Sequence, residues 1–211
     1  MSKVGIGVGH GGSDPGAVAN GRRESDINLV IALAMNDELK RHGVNIYMTR
    51  VKDEDDPLRD EIAEINRFAP DIAIDIHTNA GGGDGFEAYH SKNPNGLGKR
   101  LAEHLEAEIK KIGQNSRGIK TRLDSKGNDY YGFIRETKCP AVIVEGAFID
   151  NPEDIKIMDT IEEQRAVGVA YARGVLKYLG IPVINNTASI NYKELYEKEK
   201  AITDQIRELV K

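Results

Sequence analysis

The sequence predicts an α/β fold: one twisted, largely parallel or mixed sheet with helices packed on both faces. Three observations predict it. Short β-branched apolar runs recur at residues 4–8, 44–48, 72–76 and 140–144. Segments with apolar residues at helical spacing lie between them, and most runs end in glycine or a polar side chain. Strands alternating with amphipathic helices make a sheet that needs covering on both sides.

In chain order, Val4, Ile6 and Val8 alternate with Gly5, Gly7 and Gly9. This is a strand with one bare face, onto which a backbone or ligand can close. Residues 10–16 are a loop by composition, continuing to about Arg23. Glu24 opens a helix to about His42, with Ile27, Val30, Ile31 and Ala34 on one face and Gly43 as its stop. Val44, Ile46 and Met48 form a second strand, and Leu58, Ile62, Ile65 and Ala69 a second helix. Ile72, Ile74 and Ile76 then lead to His77, Thr78, Asn79 and a glycine run. That pattern is a buried strand delivering its last side chain to the rim of the sheet, where open α/β folds bind ligands.

Residues 85–90 form another strand, and Leu97, Leu101, Leu105 and Ile109 mark a third helix. The stretch 116–133 is rich in Gly, Asp and Tyr, with room for one short strand. Residues 140–144 are a buried strand ending on Glu145. Asn151 and Pro152 start a helix, and a long helix over 161–179 closes the domain, with Gly168 and Gly174 permitting close packing. Residues 1–182 are therefore one domain, and 183–211 a linker with a short amphipathic C-terminal helix. Tyr192, Leu195, Glu199, Ile202, Ile206 and Leu209 fall at heptad spacing there, for fewer than three heptads. A monomer, or a weak dimer through that helix, is expected.

Composition excludes several classes. An apolar fraction of 39% with 30% charged residues describes a globular chain. A net charge of -5 without a basic block points away from nucleic acid. No segment approaches membrane-spanning length, and the Gly-studded N-terminus is no signal peptide, so synthesis in the cytosol is expected. The single cysteine, Cys139, cannot form an internal disulfide.

Three strand ends carry ionisable groups, His10, His77 and Glu145, and Glu24 opens the helix after the His10 loop. Parallel neighbouring strands would bring all four to one edge. Two imidazoles and a carboxylate suit one catalytic zinc with an open fourth position, leaving the second carboxylate to take a proton from water. Without thiolate, the set fits hydrolysis better than redox chemistry. Taken singly, each histidine is a satisfied polar residue and Glu24 a helix-dipole acid. Glu145, directly after Val-Ile-Val, is harder to explain that way, because burying an unpaired charge is costly.

The run Val8-Gly-His10-Gly-Gly-Ser-Asp14-Pro-Gly16, then Glu24, Asn28-Leu29 and Thr49-Arg50, resembles the zinc-dependent N-acetylmuramoyl-L-alanine amidases of family 3. So do Ile76-His77-Thr-Asn79-Ala80, Arg117-Gly118 and Val144-Glu145-Gly-Ala-Phe148-Ile-Asp-Asn151, in the family's order across residues 3–180. The resemblance implies a six-stranded sheet, one zinc per chain on His10, Glu24 and His77, and Glu145 as catalytic acid/base. It implies peptidoglycan as substrate, cut between the muramic lactyl group and L-alanine. Asn79 and the following glycines are expected to contact substrate. Asp75 and Glu61 stand where the family usually has Ser and Arg. Neither is expected to touch the proposed ligands. Only residues 80–84 separate the His77 strand from the next, too few for a blocking helix. The expectation is a phage endolysin or an autolysin, acting at the cell wall after release.

Three rival readings compete with this one. Gly7-Val-Gly9-His-Gly11-Gly12 matches the dinucleotide fingerprint G-x-G-x-x-G, but a loop follows where that fingerprint needs a helix. A Cys139 nucleophile is conceivable, but a small buried thiol accounts for it better. A non-catalytic wall-binding module would not need all four residues. His42 is expected on the surface at a helix end and His104 exposed on a helix, while His90 has no assigned role.

Overall fold

The computed structural model describes residues 1–93 and 95–184; the expected C-terminal helix lies outside the described residues. The first half contains β1 (Lys3–Val8), the small hairpin β2 (Val18–Ala19) and β3 (Arg22–Arg23), α1 (Glu24–Arg41), β4 (Asn45–Met48) and α2 (Leu58–Phe68). Then come β5 (Ile72–Asn79), β6 (Phe86–His90), α3 (Leu97–Lys111), β7 (Ser116–Lys120), α4 (Gly132–Glu136) and β8 (Ala141–Phe148). A 3-10 turn (Asp154–Met158) and α5 (Ile161–Tyr178) follow. The stretch 116–133 thus holds one strand and the start of a short helix.

Six strands make one sheet in the order β4-β1-β5-β8-β6-β7. Every neighbouring pair is parallel except β6 with β8, so the sheet is mixed. The exception has a simple cause. Residues 80–85 are the whole link from β5 to β6, and a parallel return needs a crossover of about a dozen residues or more.

Strand alternation divides the core in two. Val4, Ile6, Val8, Ile72, Ile74, Ile76, Val142 and Val144 face α1, α3 and α5. On the other side, Ala73, Ala141 and Ile143 pack with Ile62, Ile65, Phe133 and Ile134 of α2 and α4. Cys139 lies half-buried against this second cluster, where burial pushes its thiol up to about 11. The thiol expected to be buried is thus only half-covered, among packing residues.

Helix α5 begins with a full capping box. The Thr160 side chain accepts from the Glu163 N–H, and Glu163 reaches back to the Thr160 N–H. Its Gly168 lies against α1: a Cβ there would stand 2.8 Å from Ala34 Cβ and 3.0 Å from the Met35 nitrogen, with the Ile31 carbonyl closer still. Gly174 is similarly tight against α3, 3.0 Å from the His104 carbonyl. Gly→Ala in a helix normally gains about 1 kcal/mol. At Gly168 the sign is expected to reverse, with a loss of about 1–3 kcal/mol from overpacking, read as a lower Tm than wild type.

His42 departs from expectation. Its side chain is only 1% exposed. Nδ1 lies 2.8 Å from the Glu38 carbonyl, and Nε2 accepts from the Ile184 N–H, so segment 181–184 folds over it. His104 is half-buried with its ring edge on Tyr178, and His90 turns Nδ1 to the Ser91 carbonyl.

Candidate metal centre

The bare face of β1 is what admits the site. A Cβ on Gly9 would fall inside the imidazole of His77, and one on Gly7 would sit 2.9 Å from Asp75 Oδ1 and nearer to Glu61 Oε1. Side chains from β5 and α2 therefore fold over β1 where its own side chains are missing. Beyond β1, His10 adopts φ 64°, a left-handed conformation costly for a residue with a Cβ. The strain turns its ring back toward β5. Gly16, also left-handed, leaves room for it: a Cβ there would stand 2.7 Å from both His10 Cδ2 and Glu24 Oε2.

Arg50 locks this arrangement, a role that the sequence does not announce. It is 2% exposed, and its guanidinium donates to the carbonyls of Val8 (3.0 Å), Gly9 (3.3 Å), Ser25 (2.8 Å) and Lys52 (3.2 Å). It thus ties the segment before His10 to the one after Glu24. Asn28 adds a second tie, donating to the Gly9 carbonyl and to Glu24 Oε1.

His10, Glu24 and His77 come together. Their potential ligand atoms all lie within 4.8 Å of one another. His10 Nε2 is 3.3 Å and His77 Nδ1 3.1 Å from the same oxygen, Glu24 Oε1, and the two rings meet edge to face at 5.0 Å. The outer nitrogens face carboxylates: His10 Nδ1 is 2.8 Å from Asp14 Oδ2, and His77 Nε2 is 3.1 Å from Asp75 Oδ2. Two imidazole nitrogens and one carboxylate, each imidazole backed by a second acid, are a donor set that fits a borderline divalent ion such as zinc.

Electrostatics follow from this crowding. Burial works to raise the Glu24 carboxyl, but hydrogen bonds from His10 and His77 hold it far below the usual carboxylate range. Burial likewise works against a charged His77, yet Asp75 and Glu24 leave its pKa well above the ordinary value. Glu61 is raised well above its ordinary value by burial and by Asp75 beside it.

Asp75 corrects one expectation: it does touch a proposed ligand. Residues i and i+2 of a strand share a face, so Asp75 lies directly below His77. Glu61 shares the space over Gly7 with Asp75, and among the described residues no hydrogen bond or ion pair joins it to His10, Glu24 or His77.

Glu145 is the cross-strand neighbour of His77 in the β5–β8 pairing, on the same face of the sheet. Among the described residues its carboxyl makes no hydrogen bond or ion pair. Burial raises its carboxyl to about 7; the His77 charge opposes this and the nearby carboxylates of Glu24, Asp75 and Glu87 add to it. Asn79, at the end of β5, accepts from the Ala80 N–H at 2.8 Å and points its amide at Glu87, 3.5 Å away. A cleft of about 530 Å³ opens beside the centre, between His10, His77 and Asp75 on one side and Tyr131, Phe133 and Leu58 on the other. The chain after Glu145 pins the glycine loop, Asp150 accepting from the Gly81 and Gly82 N–H groups at 2.8 Å. The dinucleotide rival loses its footing here. Gly11 pairs with Asp14 in a turn, and α1 starts only at Glu24.

Fold and site together define an α/β domain with a His–Glu–His donor set at the carboxyl edge of its sheet. Residues 4–177 match the N-acetylmuramoyl-L-alanine amidase family model, and the chain belongs to that family. It is 32% identical over 178 residues to a sporulation-specific N-acetylmuramoyl-L-alanine amidase of Bacillus subtilis, covering 83% of this chain and 67% of that protein. It is 33% identical over 190 residues to an endolysin of Bacillus phage SPP1, covering 86% and 68%. Among solved structures, Cwp6 from Clostridium difficile superposes with a TM-score of 0.82 at 35% identity, over 84% of this chain and 29% of that one. AmiC2 of Nostoc punctiforme gives 0.77 at 28% identity, over 85% and 97%. No helix among the described residues is long and apolar enough to cross a membrane.

Proposed function

We propose that this chain is a zinc-dependent peptidoglycan hydrolase that cleaves the amide between the lactyl group of N-acetylmuramic acid and L-alanine, as an endolysin or autolysin acting at the cell wall. The observation that carries the reading is the convergence of His10, Glu24 and His77 beside a carboxyl with no hydrogen-bond or ion-pair partner among the described residues, in a chain of this family. His10 Nε2, Glu24 and His77 Nδ1 would hold the ion, and Asp14 and Asp75 would orient the two rings. A zinc ion there supplies Lewis acidity to the scissile carbonyl and makes water a competent nucleophile near neutral pH. Glu145 takes a proton from the attacking water. It then returns that proton to the amine nitrogen as the C–N bond breaks, leaving a lactyl carboxylate and a free L-alanine amino terminus. Burial holds its carboxyl above the ordinary glutamate value, the direction that suits a group that must accept and donate in one cycle.

The test is purified cell wall incubated with the protein, with and without a chelator. New L-alanine amino termini are expected in the first case, none after chelation, and recovery on adding zinc. Termini released at an undiminished rate in chelator would remove the metal from the reading. No termini at all would remove the amidase assignment and favour a wall-binding module.

A further inference from the structure

Glu87 is a charged side chain only 4% exposed, on the strand next to Glu145 and paired with it in the β6–β8 ladder. Its Oε1 accepts from Arg117 Nε at 2.5 Å and from Lys120 Nζ at 2.6 Å, and its Oε2 from the Tyr89 hydroxyl at 2.8 Å. One buried carboxylate therefore fixes two cations side by side. Arg117 is held a second way, its guanidinium lying 5.4 Å above the Phe148 ring. Its terminal nitrogens donate to nothing among the described residues, and the side chain is 45% exposed. Lys120 is 34% exposed. The trio keeps one net positive charge, aimed outward and already ordered. Tyr131, which lines the metal cleft, meets Tyr89 in a tilted contact at 4.9 Å, and it is the Tyr89 hydroxyl that donates to Glu87.

We infer that Arg117 and Lys120 form a seat for a carboxylate on the peptide side of the scissile bond. Strands lie about 4.8 Å apart, which puts β7 about 10 Å from Glu145, across β6. An extended peptide covers that distance in about three residues, at about 3.3–3.6 Å each. The glycan side of the intact substrate offers no match, because its lactyl carboxyl is tied up in the amide. A planar guanidinium fork with an adjacent ammonium is chemistry suited to a carboxylate, and its orientation was set beforehand by Glu87. This inference rests on the amidase reading for the identity of the substrate.

The experiment compares two N-acetylmuramoyl tripeptides that begin with L-alanine, one ending at its third residue in a free carboxylate and one in a carboxamide. For the free-carboxylate peptide, Arg117→Gln and Lys120→Met are each expected to raise KM about 5–20-fold with kcat changed less than two-fold; for the carboxamide peptide, KM should not move. Elevated salt should weaken only the carboxylate substrate. Binding is read separately by calorimetry on Glu145→Gln, alone and combined with Arg117→Gln. A carboxylate preference of about tenfold that disappears with Arg117 supports the seat even if turnover fails for other reasons. Equal effects on both peptides, or no preference in the Glu145→Gln background, would overturn it. Failure of the amidase reading would appear differently, as intact amide bonds for both peptides with wild-type protein.

Discussion

Glu145→Gln is expected to slow release of L-alanine termini by about 10²–10⁴-fold, the range for loss of a general acid/base, with the metal content of the protein unchanged. The reason is position. Glu145 neighbours His77 across the strand pair but lies outside the His10–Glu24–His77 cluster, so the amide should cost chemistry and not binding. The pH profile carries a second sign. The base form must be ionised, so kcat/KM should rise with pH along a limb whose midpoint lies between the ordinary glutamate value and about 7. Bound metal adds positive charge next to the carboxyl and pulls that midpoint down from the metal-free value. The residual rate of Glu145→Gln should lack the limb. A variant within about threefold of wild type, or one that loses its metal, would take Glu145 out of the proton transfers.

Much of this was legible in the residues. Alternation of Val and Ile in β1, β5 and β8 places the strands, and each site group sits where a strand or loop gives way to a polar residue. The bare glycines of β1 were readable as space for something; that the occupant is the ring of His77 depends on which strand pairs beside β1. Arg50 was not legible as a clamp, because an arginine after a strand is ordinarily a surface residue. Its burial follows from four backbone carbonyls that only the folded chain brings together. The antiparallel β6 could have been deduced from the short link after His77. His42 reads as a surface residue in the sequence because segment 181–184, far off in the chain, supplies its cover. Asp75 carried its own clue: two residues before His77 on a strand, it had to share that histidine's face.

Asp75 therefore yields the other large effect. A ring nitrogen that binds metal gains basicity and a fixed tautomer when its partner nitrogen donates to a carboxylate, and losing such a partner typically costs 10–100-fold in metal affinity. Asp75 is 2% exposed with one oxygen on His77 Nε2, and its other oxygen has no hydrogen-bond partner except through a proton carried by Glu61. Burial and the Asp75 charge push the Glu61 carboxyl up, toward the neutral form, the one able to donate to Asp75. Asp75→Ala is expected to weaken zinc binding by about 10–100-fold, read by competition with a chelator of known affinity. Asp75→Asn keeps an acceptor without the charge and should fall between Ala and wild type. Glu61→Gln preserves a donor toward Asp75 and should change affinity less than either. Wild-type affinity in Asp75→Ala would mean that His77 is held by packing over Gly9 alone. The graded order would instead assign the hold to charge.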